Sequence, residues 1–390
     1  MDRSVDVSNH RLPCSSIPSN IDIAGLSCCP GFVLKTIFDQ HRNNFDFLRL
    51  ALSILVIFSH SYPLGTGSEL AEPFNLMTRY QVTGGHIAVD LFFIISGFLI
   101  AASYERSTSA ASFMKKRVFR IYPAFIVAMV LGLVVVLPAS GGHMTATSMG
   151  SRALDFIIQT FRLREFTYQA AFQGNPTPGP MNGSVWSIQY EFWCYIGVAI
   201  LGLTGLLRSN RILVTIFVVS IVISVLFAVF KWTPGGKSLG LVFGYPPVWA
   251  RLLPMYMAGV VFYRLRHRLE LKGSWIVVAG GLIVVAAVLP YGWSILFPIA
   301  GAYLILVLAF HSAIPLNNWG RFGDFSYGTY LYAFPVEQLT MRLIGHPVPP
   351  WVLFSVAAPV SLVCAFMSWH LVEKRFLRRP VRPVHVPALP

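Results

Sequence analysis

Long apolar runs, each broken by only a few polar positions, dominate the chain. Runs long enough to cross a bilayer lie at about 45–64, 86–103, 121–138, 184–205, 212–230, 248–264, 274–290, 293–310, 326–343 and 351–371. The pattern predicts an all-α, polytopic transmembrane helix bundle of about ten spans. The seventh and eighth runs are parted only by Pro290, Tyr291 and Gly292, and the ninth is rich in tyrosine. Residues 1–40 hold no apolar leader and read as a polar, loosely ordered tail. Residues 41–375 read as the membrane domain and 376–390 as a basic, proline-containing cytoplasmic tail.

Composition agrees. Apolar residues make up 55% of the chain and charged residues 12%, where a soluble domain carries roughly 25% charged residues. The net charge of +14 is informative through its distribution. With the N-terminus inside, 22 of the 30 Lys and Arg fall in cytoplasmic segments, seven in outer loops, and Arg251 at a span mouth. This positive-inside bias places both termini in the cytoplasm, and it argues against nucleic acid as the partner that the charge serves. The five cysteines (Cys14, Cys28, Cys29, Cys194, Cys364) show no CxxC spacing, which argues against a disulfide framework. There is no P-loop, zinc spacing or dinucleotide fingerprint, so no metal is expected.

The polar positions inside the runs carry the chemistry, because an ionisable group in lipid is costly and functional by default. Arg49 and His60 share the first run. Eleven steps of ~100° bring them to nearly one helical face, about 16 Å apart along the axis. Asp90, Glu191 and Glu337, from the second, fourth and ninth runs, fall with His60 at a similar depth in the outer half. Buried there, they must pair with one another or with water. At the inner mouth of the third run, Arg117 and Arg120 share a face through their i, i+3 spacing. Their planar donor forks suit phosphate oxygens. With Arg49 they form a clamp for a phosphorylated ligand from the cytoplasm; anchoring to lipid phosphates is the alternative.

A ligand with phosphates at one end and a long thin arm reaching His60 has the shape of an acyl-coenzyme A. An imidazole near its ordinary pKa suits general-base work on an acceptor hydroxyl, with Glu191 or Asp90 orienting the ring. For each carboxylate a packing salt bridge is the alternative. The same layout of buried charges also fits a transporter without acyl transfer.

The segments FDFLRLALSILVIFSHSYP, GGHIAVDLFFIISGFLI, FMKKRVFRIYPAF, GSVWSIQYEFWCY and FGDFSYGTYLYAFPV stand in the order found in the membrane-bound acyltransferase-3 family of O-acyltransferases. The chain resembles that family from about residue 44 to 375. The resemblance implies a multi-pass enzyme of the bacterial inner membrane. Such enzymes move an acyl group, usually acetyl from cytoplasmic acetyl-CoA, to a hydroxyl of a carbohydrate such as an exopolysaccharide, lipopolysaccharide or oligosaccharide. It sets the family's Arg and His on Arg49 and His60, and its RxxR on Arg117 and Arg120. Its Trp-Ser…Glu segment falls on Trp186, Ser187 and Glu191, and its Val-Asp-x-Phe-Phe segment on Val89, Asp90, Phe92 and Phe93. Two departures stand out. Ala333 occupies a position where many members carry His, leaving Tyr330 or Glu337 to serve locally. No hydrolase-like domain is expected after the last span. The resemblance leaves two mechanisms, direct general-base transfer and an acyl-His intermediate. In the long outer loop at 139–183, Phe161, Phe166, Tyr168 and Phe172 read as a sugar-stacking lid or, preferred, an amphipathic helix on the membrane.

Overall fold

Each apolar run is helical, as a backbone without access to water requires. The computed structural model describes residues 32–33, 43–142, 146–165, 171–232, 240, 242–311, 316, 319–345 and 347–377. In chain order the helices are α1 (Phe45–Thr66), α2 (Pro73–Met77), α3 (Gly84–Glu105), α4 (Ala110–Leu131), α5 (Ala146–Phe161) and α6 (Ile188–Leu203). There follow α7 (Asn210–Phe230), α8 (Pro246–Leu265), α9 (Gly273–Val288), α10 (Gly292–Phe310), α11 (Ser326–Ile344) and α12 (Pro350–Ser368). A π turn, Gly132–Val136, carries α4 on to Ala139, and another, Trp369–Glu373, carries α12 on to Leu377. Among the described residues six helices, α1, α3, α4, α7, α10 and α12, are long and apolar enough to cross a membrane. α9 is a shorter apolar helix of 16 residues.

Helix starts follow local chemistry. Thr83 accepts from the His86 backbone while the His86 ring accepts from the Thr83 backbone, a capping box that opens α3. The Ser109 hydroxyl oxygen accepts from the Ser112 backbone N–H and caps α4 without a reciprocal bond.

Alternate helix ends meet, so the bundle runs up and down. At the end holding Arg49, Asn44 donates to the carbonyls of Leu308 and Ala309 at the close of α10. There too, Tyr263 and Arg264 of α8 bond to Glu105 of α3. At the opposite end, beyond His60, Gln81 donates to the last turn of α9 and Thr177 to the carbonyl of Pro63. The tightest crossing is α3 on α8. A side chain at Gly97 would collide with the carbonyl of Tyr256, and one at Gly259 with that of Ile94. Small residues that let two backbones touch are a characteristic device of membrane helix packing.

Two expectations change. Phe32–Val33, within the segment expected to be a loose tail, pairs as a strand with Glu270–Leu271. The loop at 139–183 does contain a helix, α5, which ends at Phe161; Phe172 lies beyond it and is not a stacking platform. It is fully buried against Val136, Leu137 and Met181, with a φ of 53°. Phe161, at the close of α5, is exposed, whereas Phe166 and Tyr168 lie outside the described residues, as do Cys14, Cys28 and Cys29.

Candidate active site

α1, α3, α4, α6, α11 and the extension of α12 line an open cavity of about 550 Å³, a size typical of small-molecule sites. Arg49, Arg117 and Arg120 all line it, joined at the same end by Lys115 and Lys116. Ser96, Glu191 and Tyr195 line its middle, and Val89, Phe92, Ser187 and Tyr330 its far end. The three arginines thus converge, although they come from two helices 68 positions apart in sequence at Arg49 and Arg117.

The arginines are not equivalent. Asp324, just before α11, accepts from Arg49 at 2.9 Å and from Arg120 at 2.6 Å. Glu373, placed inward by the π turn after α12, takes a second Arg120 nitrogen at 3.1 Å and is itself held by Ser368. Among the described residues Arg117 donates to the Ser103 hydroxyl at 3.3 Å and stands over the Phe113 ring, but no carboxylate holds it and its buried Nε has no hydrogen-bond partner. Two guanidiniums are therefore pre-set by carboxylates, while the third retains donor capacity inside the cavity.

Burial works against charge on Asp324. Arg120 and then Arg49, with Ser326 donating as well, outweigh it and hold the carboxyl well below the usual carboxylate range. The linkage sign follows. A carboxyl depressed by folding contributes stability above its unfolded pKa of about 3.9 and loses it only as pH falls toward the folded value. The thermal-midpoint gap between the wild-type protein and an Asp324→Asn variant should therefore be the same at pH 7 and pH 5. A gap that shrinks across that window in detergent melts would contradict this assignment.

The four acidic and imidazole groups expected at one depth separate into three places. Asp90 is fully buried and held by Arg251 at 2.9 Å and by the indole of Trp293 at 3.1 Å. Glu191 accepts from Ser96 at 2.8 Å and Tyr195 at 2.6 Å. Ser96 lies six residues beyond Asp90 on α3, about 9 Å nearer the arginines, so Glu191 belongs to the cavity. Neither acid is bonded to His60. The carboxylate facing His60 is that of Glu337, whose Oε2 stands 3.8 Å from Nδ1.

His60 itself is not in the cavity lining. One stripe of α11 explains the gap. Tyr327, Tyr330, Phe334 and Glu337 recur at helical spacing along one face. Tyr327 and Tyr330 line the cavity, the Phe334 ring stands edge-on to His60 with centroids 5.5 Å apart, and Glu337 follows. The Tyr330 hydroxyl donates to the carbonyl of Ser184 at 2.5 Å and lies 2.8 Å from the Ser187 hydroxyl, which fixes that ring at the cavity's far end.

Sequence reasoning gave no role to Asp324, Arg251 or Tyr195, although the first and last lie in the family-like segments and Arg251 was placed at a span mouth. Asp324 carried a signal, being the one acid between Glu270 and Glu337. Tyr195 carried none beyond lying four residues after Glu191, on the same helical face.

A model of an acyltransferase domain matches residues 42–370. An O-acetyl transferase of Shigella phage Sf6 is 31% identical over 87% of this chain and 98% of its own length. Nodulation protein 10 of Rhizobium leguminosarum bv. viciae is 29% identical over 86% and 93%. An acyltransferase of Streptomyces mycarofaciens is 26% identical over 77% and 80%. No solved structure matches the chain. Matched across most of its length, with long apolar helices and relatives that are acyl- and acetyltransferases, this chain belongs to the membrane-bound acyltransferase-3 family and is an enzyme of the O-acetyltransferase kind.

Proposed function

We propose that the enzyme crosses the bacterial inner membrane ten times with both termini in the cytoplasm. It takes an acyl group, acetyl in the simplest case, from cytoplasmic acyl-CoA and places it on a hydroxyl of a surface or exported carbohydrate, with His60 as general base. The observation that carries this reading is the cavity that opens among three arginines and two lysines and runs along α3 and α11 toward His60. The positive-inside charge distribution along the sequence supports a cytoplasmic arginine end. The residues fit the donor's phosphates: Arg117 offers an unsatisfied buried donor, and Lys115 and Lys116 stand beside it.

In this reading the arginine end binds the donor and the cavity wall holds its arm. His60 takes the proton of the acceptor hydroxyl as the oxygen bonds to the thioester carbonyl carbon. The carbon–sulfur bond breaks, and the proton passes to the departing sulfur. Tyr330 and Phe334 stand between the far end of the cavity and His60, so transfer requires those rings to turn aside. Glu191 and Asp90 act as positioning residues: Glu191 shapes the donor cavity with Ser96 and Tyr195, and Asp90 fixes Arg251 beside the His86 carbonyl.

The test is transfer of labelled acetyl from acetyl-CoA to an oligosaccharide by the protein purified in detergent. Removing charge-assisted bonds worth about 1.5–3 kcal/mol, Arg117→Ala should raise the donor KM by ~10- to 100-fold with less change in turnover. An unaltered KM would make Arg117 a lipid anchor. Substrate movement across proteoliposomes without acyl-CoA turnover would revive the transporter reading, which family membership does not favour.

A further inference from the structure

The geometry points to Glu337 as the positioning residue that orients the His60 imidazole, presenting Nε2 to the acceptor hydroxyl. The inference rests on the reading of His60 as general base. His60 Nδ1 and Glu337 Oε2 are both buried, neither has a hydrogen-bond partner among the described residues, and they face each other at 3.8 Å. That distance is too long for a hydrogen bond, but catalytic contacts commonly tighten when substrate binds. Two unpaired groups of complementary chemistry, side by side and out of water, are costly unless they serve each other.

The surrounding contacts restrict both partners to this pairing. Glu337 is fully buried, and its other oxygen lies 3.0 Å from the hydroxyl of Ser61, the residue next to His60. Ser61 is tied in turn to the carbonyl of Ile57 one turn back. The Ser61 hydroxyl has one proton for these two acceptors, so it holds the Glu337 carboxyl beside the helix that carries the imidazole without locking it to the backbone, and the Phe334 ring limits the imidazole's rotation. The competing acids are committed elsewhere, Asp90 to Arg251 and Trp293, Glu191 to Ser96 and Tyr195. His86, another imidazole at this end, accepts from the Thr83 backbone at its Nδ1.

The experiment compares Glu337→Gln, Glu337→Asp and Ser61→Ala in the purified full chain, measuring kcat and donor KM for acetyl transfer. Glu337→Gln should lower kcat by ~10- to 100-fold, a fraction of what a general base supplies, with donor KM within twofold of wild type. Glu337→Asp should recover part of the loss, and Ser61→Ala should lower kcat by a few fold without touching donor KM. A kcat within twofold of wild type in Glu337→Gln overturns the assignment, and the His60 reading survives if His60→Ala is inactive. Should Glu337→Gln fail to accumulate, Ser61→Ala decides alone: unchanged kcat overturns the pairing. Loss of folded protein in all three, with kcat per folded molecule preserved, likewise overturns it and leaves Glu337 a packing residue.

Discussion

Replacing His60 with alanine should abolish acyl transfer, by ~10²- to 10⁴-fold, the usual worth of a general acid–base group. Donor binding should survive, because His60 lies outside the cavity that the arginines line. The variant should therefore keep near-normal affinity for acetyl-CoA while losing turnover. The side chain is 23% exposed and the change deletes a ring, so a modest loss of stability is expected alongside. The two mechanisms of the family separate in the same experiment. A labelled acyl group trapped on His60 of the wild-type protein without acceptor supports the covalent path; its absence under rapid quench supports direct transfer. Wild-type turnover in the alanine variant would end both.

Replacing Asp324 with alanine should have the second-largest effect, and it should act at the opposite end. This one carboxylate holds Arg49 and Arg120 together. Deleting it leaves two largely buried guanidiniums close to each other, with Glu373 still bound to one. Removing one member of a buried pair costs about 3–5 kcal/mol. Arg49 is 26% exposed and Arg120 keeps a partner, so about 3 kcal/mol is expected. The measurements are the thermal midpoint in detergent, which should fall, and the donor KM, which should rise as the cation cluster spreads. A variant with wild-type midpoint and KM would show that the arginines need no carboxylate to hold their places.

Much of this architecture was legible along the chain. Each of the ten apolar runs holds a helix, six of them long and apolar enough to cross a membrane, and the internal prolines of six of the ten do not end them, because a backbone in lipid has to satisfy its own polar groups. The pairing of Arg117 with Arg120, and the alignment of Arg49 with His60 on one face, follow from helical periodicity alone. The partners did not follow. Asp90 and Glu191 stand out in the sequence as acids within apolar helices, and nothing local says that Trp293, 203 positions away, or Tyr195 on the same helix, would take them. Glu337 carried a signal of the same kind, and only the packing of α11 on α1 made it the acid that faces His60.

The sequence by itself determined which segments are helices, where their polar groups sit along each axis, and the family to which they belong. The tertiary structure decided which groups meet: Arg49 and Arg120 on Asp324, His60 beside Glu337, and the cavity that stops at Tyr330. The physical reason lies in the helices themselves. A helix apolar on nearly every side gives no periodic signal for its rotation, and in lipid no hydrophobic force selects its neighbours. Close backbone approach, as at Gly97 and Gly259, and the pairing of a few buried polar groups fix rotation and partner together, and both are properties of the assembled bundle.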